Sequence, residues 1–356
     1  MSSMLVVGSV ARDTIHNNQG THPYVLGGSA VFAALAGAHF VEPRVVGIVG
    51  TDFPDSEVSL LKSKGVDVSG LEIVDGKTFH WEGRYSDDLT SRESIKTELN
   101  VFADFHPKIP ESMRDTPYVM LGNIHPDLQV EVLEQMREPK LVIADTMNFW
   151  IEGTPNELSR MLKRIDVLVI NEEEARQLTG LHNIVKVAKE LLTMGPRIAV
   201  IKRGEYGALL FEGDSVFSAP AFPVDKVLDP TGAGDTFAGG MLGFIAQQDR
   251  VDQSTLRRAI VYGSALASYC VEGVSVKRLN EVSREDVEER YLAFARLAHF
   301  AARRGGNLVA IVDGGFDGRL KGLNVVLHRG ESLILNGYFL HNAAKSSFTA
   351  IDRLFS

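Results

Sequence analysis

The chain has 356 residues, 44% of them hydrophobic, a single cysteine and a net charge of −9. This is enough for one large domain or two modest ones, and an acidic balance without long single-sign runs argues against a nucleic-acid binder, which needs a basic footprint. No apolar run approaches the roughly 18 residues of a membrane span, residues 4–7 look like a strand and not a signal peptide, and the lone Cys270 excludes an internal disulfide framework or cysteine zinc cage, so a cytoplasmic setting is expected.

Short apolar runs alternate with helix-period segments along most of the chain. Strands are predicted at residues 5–7, 45–49, 118–121, 141–144, 167–170 and 198–201, with helices at 29–39, 56–64, 127–137, 172–178 and 185–192. That rhythm makes an α/β fold with a doubly wound, mainly parallel sheet flanked by helices. Ligands in such sheets gather beyond the carboxyl ends of the strands. Residues 78–85 break the rhythm. Phe79, Trp81, Gly83 and Tyr85 alternate with Thr78, His80, Glu82 and Arg84, and after a polar turn Ile95, Thr97, Leu99 and Val101 alternate with polar residues. Period-two alternation on both sides of a turn reads as a hairpin with one apolar face. With residues 14–26 it is expected to form a small β-sheet lid spanning about 14–26 and 77–102, whose outer face, if apolar, would let two copies pair.

A strand is predicted at 216–219, followed by helices at 235–247, 254–271 and 284–302. Residues 300–356 hold seven Lys/Arg against four Asp/Glu and strand-like runs at 308–312, 323–327 and 332–340. The expected organisation is one domain over 1–299 and a C-terminal extension, 300–356, to which the sequence assigns no role.

Chemistry concentrates at Asp229-Pro230-Thr231-Gly232-Ala233-Gly234-Asp235. Pro230 fixes the entry, the glycines let backbone N–H groups approach a ligand, and the helix that follows turns unpaired N–H groups and a positive dipole end toward it. This is an anion site, and phosphoryl transfer needs such donors where charge accumulates. Asp235, in the first helical turn, could take a proton from an attacking hydroxyl. On spacing alone it could equally be an N-terminal cap.

The run 229–237 closely resembles the C-terminal signature of the ribokinase-like (PfkB-type) carbohydrate kinases. Leu26-Gly27-Gly28-Ser29-Ala30, the aspartate Asp13 after the first strand, Asn171-Glu172-Glu173-Glu174 and Lys202-Arg203-Gly204-Glu205-Tyr206-Gly207 are similar to further family elements and follow in family order over about residues 4–298. The resemblance implies a kinase that uses ATP and Mg2+. The backbone N–H groups of Gly232, Ala233, Gly234 and Asp235 would form the anion hole, and Asp235 would also be the base. Asp13, Gly27, Gly28 and Ser29 would hold the acceptor, with Asn123 and Asp145 at strand ends as further cleft residues. Lys202, Gly204, Gly207 and Thr231 would contact nucleotide, with Gly232 and Gly234. Asn171 and Glu174 would organise Mg2+ through water, and Asp229 and Thr231 would hold a monovalent cation such as K+. The expected acceptor is a sugar, polyol or similar small molecule. A nucleoside is the alternative, because the ribokinase pattern Gly-Gly-Lys-Gly-Ala-Asn reads here Gly27-Gly28-Ser29-Ala30-Val31-Phe32, with Phe32 in place of a sugar-binding Asn. A non-catalytic sugar- or nucleotide-binding regulator is a further alternative, disfavoured by the intact Asp235. Arg84, Arg92 and Lys96, on or near the lid, are the cations that a phosphorylated acceptor would need.

Overall fold

The computed structural model describes residues 3–89 and 91–298, together with 302–304, 307–312, 332–335 and 338–341. In chain order the elements are β1 (Ser3–Val7), β2 (Ala11–Asn17), β3 (Gly20–Gly27), α1 (Ser29–Gly37), β4 (Glu42–Gly50), α2 (Asp55–Ser63), β5 (Asp67–Val74), β6 (His80–Tyr85), β7 (Arg92–Glu98), β8 (Tyr118–Leu121), α3 (Pro126–Gln135), β9 (Leu141–Asp145), α4 (Asn148–Gly153), α5 (Pro155–Leu162), β10 (Val167–Asn171), α6 (Glu172–Thr179), α7 (Ile184–Thr193), β11 (Ile198–Lys202), β12 (Ala208–Glu212), β13 (Ser215–Ala219), α8 (Ala233–Gln248), α9 (Gln253–Cys270), α10 (Lys277–Glu281) and α11 (Arg284–Ala298).

Among the described residues the main sheet has nine strands in the order β13-β12-β11-β10-β9-β8-β1-β4-β5. All neighbours pair in parallel except β11 with β12 and β12 with β13. The central strands β1, β8, β9 and β10 are near-continuous apolar runs buried along their length, as a parallel sheet covered on both faces requires. One apolar cluster, under α1, α8 and α9, covers one face, and a second, under α3, α5 and α7, covers the other. Helices α1 and α8 meet backbone to backbone: a Cβ added to Gly239 would lie 2.2 Å from the Ala33 carbonyl oxygen. This contact sets the Gly27-Gly28 turn, which opens α1, beside the Gly232–Asp235 loop, which opens α8.

The lid is a second sheet, β3-β2-β6-β7, in which β2 and β6 run parallel and the outer pairs antiparallel. It departs from the expected hairpin in two ways. β7 ends at Glu98 and Asn100–Asp104 form a 3-10 turn, so Leu99 and Val101 are not strand residues. Nor, among the described residues, is the outer face the continuous apolar one expected. Tyr85 turns inward, and the opposite face carries His16–Glu82, Arg84–Glu93 and Lys96–Glu98 ion pairs.

The sequence gives no expectation of β5, β12, α4, α5 or α10. β5 is an edge strand with Gly70 and acidic residues inside it, and α4 and α5 are short and separated by Thr154 at a Pro155 start. The chain divides into two compact units, Met1–Phe294 and Ala295–Ser356. The second unit contains β14 (Ala302–Arg304), β15 (Asn307–Val312), β16 (Ser332–Leu335) and β17 (Tyr338–His341), paired in that order. The strand expected at 323–327, and the part of the expected helix beyond residue 298 up to 301, lie outside the described residues.

Candidate active site

The loop before α8 is held by its own aspartate. Asp229 is fully buried and accepts the N–H of Thr231 (2.9 Å) and of Ser275 (2.9 Å), one on each oxygen. Thr231 presents its hydroxyl to the Tyr85 hydroxyl of the lid at 2.9 Å. Both residues expected at a monovalent cation are therefore already engaged. Gly232 caps α8 with φ +74°, in the left-handed region that disfavours a side chain. An added Cβ there would also lie 2.3 Å from Phe32 Cδ2. Phe32 is thus no platform for an acceptor ring: it is 1% exposed and fills the space beneath the loop. Ala233 gives its N–H to the Pro230 carbonyl at 3.2 Å. The first-turn N–H groups without a helical carbonyl are then those of Gly234 and Asp235, so Ala233 is removed from the expected set of donors.

Asp235 keeps part of its surface open to the cleft. Loss of water around its carboxyl, and then repulsion from Asp145, push its pKa up, while Lys202 pulls it down. Lys202, at the end of β11, pairs with Asp145, at the end of β9, at 3.1 Å. Its Nζ is so near the loop that a Cβ on Gly234 would be 2.7 Å away. Burial works against the Lys202 charge, but Asp145, Glu174 and Asp235 outweigh it and its pKa is raised. The structure therefore groups Asp145 with Lys202 and Asp235, not with the acceptor residues.

On the acceptor side, Asp13 projects from β2 and is 5% exposed. Its Oδ2 lies 1.9 Å from where a Cβ on Gly27 would be, and its Oδ1 is buried without a hydrogen-bond partner. Burial, followed by the charge of Asp229, pushes its carboxyl up to about 7 against a hydrogen bond from the Trp81 N–H. A buried oxygen left unsatisfied costs about 1–3 kcal/mol, which a donor hydroxyl from a ligand would relieve. Gly28 has φ +97°, and a Cβ on it would meet the Ser9 carbonyl oxygen at 2.3 Å. Ser29 departs from the expected acceptor contact. It is buried and exchanges hydrogen bonds with Ser9, whose N–H it accepts at 3.2 Å. Asn123 accepts the Trp150 indole N–H at 2.8 Å and directs its amide at the Met147 sulfur, bracing α4.

On the nucleotide side, Asn171 and Glu174 form a reciprocal capping box at the start of α6, with bonds of 2.8 and 3.2 Å. The cap and the metal-organising reading coexist, because the box uses only Oε2 of Glu174. Burial, then Asp145, push the Glu174 carboxyl up to about 7. Among the described residues no three His, Cys, Asp or Glu side chains cluster as a direct metal cage. The donor set suits Mg2+ held by phosphate oxygens and water, with Glu174 reached through water. Gly204 and Gly207 bracket a 3-10 turn after β11, where Arg203 is fixed by Glu172 at 2.6 Å. The sequence reading missed Tyr85, whose signal was its place on the alternating face of the hairpin, and left the direction of Arg92 open.

Residues 1–281 match the pfkB family carbohydrate kinase model. The chain is 31% identical over 250 residues to a cytidine kinase of Thermococcus kodakarensis, across 68% of this chain and 88% of that protein. It is 26% identical to a nucleoside kinase of Methanothermobacter thermautotrophicus, across 69% and 78%. In fold it is similar to the Methanocaldococcus jannaschii nucleoside kinase, an archaeal member of the ribokinase family (TM-score 0.67, 20% identity, 82% and 99% covered). It is equally similar to Arabidopsis thaliana ribokinase complexed with ribose and ATP (TM-score 0.67, 22% identity, 82% and 99% covered). With a lid sheet, a glycine turn and a terminal Gly-Ala-Gly-Asp helix start in the order this family requires, the chain belongs to the pfkB family of carbohydrate kinases.

Proposed function

We propose that this kinase transfers the γ-phosphoryl group of ATP to a hydroxyl on the sugar of a nucleoside, with Asp235 as the base. The observation that carries the reading is the meeting of Asp235, Lys202 and the Gly232–Asp235 helix start at one end of the main sheet, with the unsatisfied Asp13 oxygen on the acceptor side. Asp13 accepts a hydrogen bond from one acceptor hydroxyl and so orients the molecule. Asp235 takes the proton from the attacking hydroxyl as its oxygen bonds the γ-phosphorus and the bond to the bridging oxygen of ADP breaks. The N–H groups of Gly234 and Asp235, and the Lys202 ammonium, face the charge that spreads over the transferred group. Bound Mg2+ would neutralise phosphate charge, with Glu174 orienting its waters.

The 31% identity to a cytidine kinase favours a nucleoside over a free sugar, as does the loss of a polar side chain at Phe32. A free pentose or hexose is the second reading, supported by the family match. A K+ ion beside Asp229 and Thr231 would share oxygens that already take part in hydrogen bonds. Use of ATP supports the cytoplasmic placement. The test is ATP consumption with cytidine, other nucleosides, ribose, fructose and sugar phosphates, run in K+ and in K+-free buffer. Turnover above background with cytidine or another nucleoside is expected. Turnover confined to free sugars would replace the nucleoside by the second reading.

A further inference from the structure

We propose that the hinge of the lid carries a second binding site, on the face turned away from the cleft, which takes a small oxyanion borne on a single planar ring and holds the lid in the position seen here.

A cavity of about 230 Å3 opens there. It is larger than the roughly 150 Å3 void that holds a benzene ring and smaller than the roughly 300 Å3 at which drug-sized pockets begin, so it has room for one ring and an anionic group. Its lining selects the charge. Arg12 and Lys77 face it, against Asp52 and Glu98. The carboxylates are already engaged: Asp52 Oδ1 accepts the Thr78 N–H at 2.7 Å and the Thr78 hydroxyl at 2.6 Å, and Glu98 pairs with Lys96 at 3.0 Å. The cations are not. Neither forms an ion pair among the described residues, and Arg12 donates one guanidinium N–H to the Tyr24 carbonyl at 3.3 Å. An incoming oxyanion would be the counter-charge that both lack. The lining also selects the ring. The Arg12 guanidinium lies 5.2 Å from the Tyr24 ring centroid, and the Tyr24 and His80 rings are 5.0 Å apart and tilted by 33°. One wall is therefore built of flat groups suited to stacking. Tyr24 is 57% exposed and held at φ +51°, where a residue other than glycine is strained, and such strain recurs at ligand sites.

The cavity straddles the places where the chain crosses between the main sheet and the lid. Arg12 is on the first crossing, Lys77 and Thr78 on the second and Asn100 on the third, while Asp52 follows main-sheet strand β4. Hydrogen bonds tie these crossings together. The Arg12 N–H donates to the Phe79 carbonyl at 2.9 Å and the Val101 N–H to the Lys77 carbonyl at 3.1 Å. The Asn100 amide donates to the Thr78 carbonyl at 2.9 Å, and the Gly50 N–H of β4 to the Thr78 hydroxyl at 3.1 Å. Asp13, the acceptor-side carboxyl, follows Arg12 on β2 and points to the opposite face. In this structure the lid rests on the anion loop through Tyr85 and Thr231. A ligand that fits the hinge in this position stabilises it against others by its difference in affinity. By linkage, a bound acceptor tightens that ligand by the same factor. The site is thus an activator site, separate from the groups that carry out the transfer.

The test is calorimetric titration of the full chain, without nucleotide or acceptor, with benzoate, orotate, cyclohexanecarboxylate and inorganic phosphate. Benzoate or orotate should bind with a Kd of about 1 mM or tighter, and which of them does so tells whether the ring is a hydrocarbon or a nitrogen heterocycle. Cyclohexanecarboxylate and phosphate keep the charge without the flat ring and should bind at least about tenfold more weakly. Lys77→Gln removes an exposed cation and should melt as wild type does. Tyr24→Gly suits the positive φ and removes the ring. Each variant should weaken binding at least about tenfold. In turnover, saturating probe should lower the wild-type KM for cytidine at least about fivefold and leave it unchanged in both variants. No binding of either ring carboxylate at about 10 mM, binding that both variants keep, or cyclohexanecarboxylate bound as tightly as benzoate overturns the site. Binding with an unchanged KM overturns its hold on the lid. The KM readout rests on the nucleoside reading above and the titration does not, so a wild type that phosphorylates no nucleoside sinks that reading while the titration still decides the site.

Discussion

The Phe32 ring packs against the Cα of Gly232, so that a Cβ on that glycine would come within 2.3 Å of Phe32 Cδ2. This one contact joins the helix of the early glycine turn to the anion loop. Gly232→Ala must therefore both strain a φ of +74° and push the loop off Phe32. The expected result is a loss of at least 100-fold in kcat with a measurable fall in melting temperature. Phe32→Ala should cost about 3–5 kcal/mol in urea denaturation, as a buried aromatic removed from a packed site does. Full activity in Gly232→Ala would show that the loop geometry is not needed.

The Asp13 carboxyl sets a pH dependence whose sign is fixed. Its pKa is raised in the folded protein to about 7 from an ordinary value of 3.8, so the folded state holds a proton that the unfolded chain has released. Stability from this group is complete below about pH 4 and is lost as pH rises to about 7, at up to about 1.4 kcal/mol per unit. Asp13→Asn should flatten that slope, making the ligand-free variant more stable than wild type at pH 8 while raising the acceptor KM. Parallel stability curves for the two proteins between pH 4 and 8 would contradict the burial of an unpartnered charge there.

The architecture was legible because parallel strands buried on both faces are continuous apolar runs, and 118–121, 141–144 and 167–170 are all of that kind. The loop that opens α8 was legible because 229–237 resembles a long family signature, whereas the spacing alone left Asp235 equally readable as a helix cap. The roles of Ser29 and Asp145 were not. Ser29 looks like an acceptor contact in sequence, yet its hydroxyl is spent on Ser9, twenty positions earlier. Asp145 meets Lys202 across 57 positions, a pairing that depends on the order of β9, β10 and β11 in the sheet. The facing of Arg92 depends on hairpin register, which a bulge between Glu82 and Gly83 shifts.

Lys202 and Asp145 form a pair with little exposure, so removing one partner should cost more than removing both. Lys202→Met alone is expected to lose about 3–5 kcal/mol by leaving the Asp145 carboxylate unpaired. Adding Asp145→Asn should return much of that stability without returning activity. A loss below about 1 kcal/mol in Lys202→Met would place the pair in water.

The capping box separates two roles at Glu174. Asn171→Ala should cost about 1 kcal/mol of stability through the lost cap. Glu174→Gln can keep the reciprocal bonds, so stability should hold while the Mg2+ concentration for half-maximal turnover rises about tenfold. An unchanged Mg2+ requirement would leave Glu174 as a cap alone.

The central claim is that Asp235 takes the proton of the attacking hydroxyl. Asp235→Asn keeps the size of the side chain and its place in the first turn of α8, and removes the base. The direct measurement is single-turnover transfer of labelled γ-phosphate from ATP to cytidine by wild type and Asp235→Asn. The variant should bind ATP as wild type does and transfer phosphate at least 100-fold more slowly. Transfer at the wild-type rate would contradict the account.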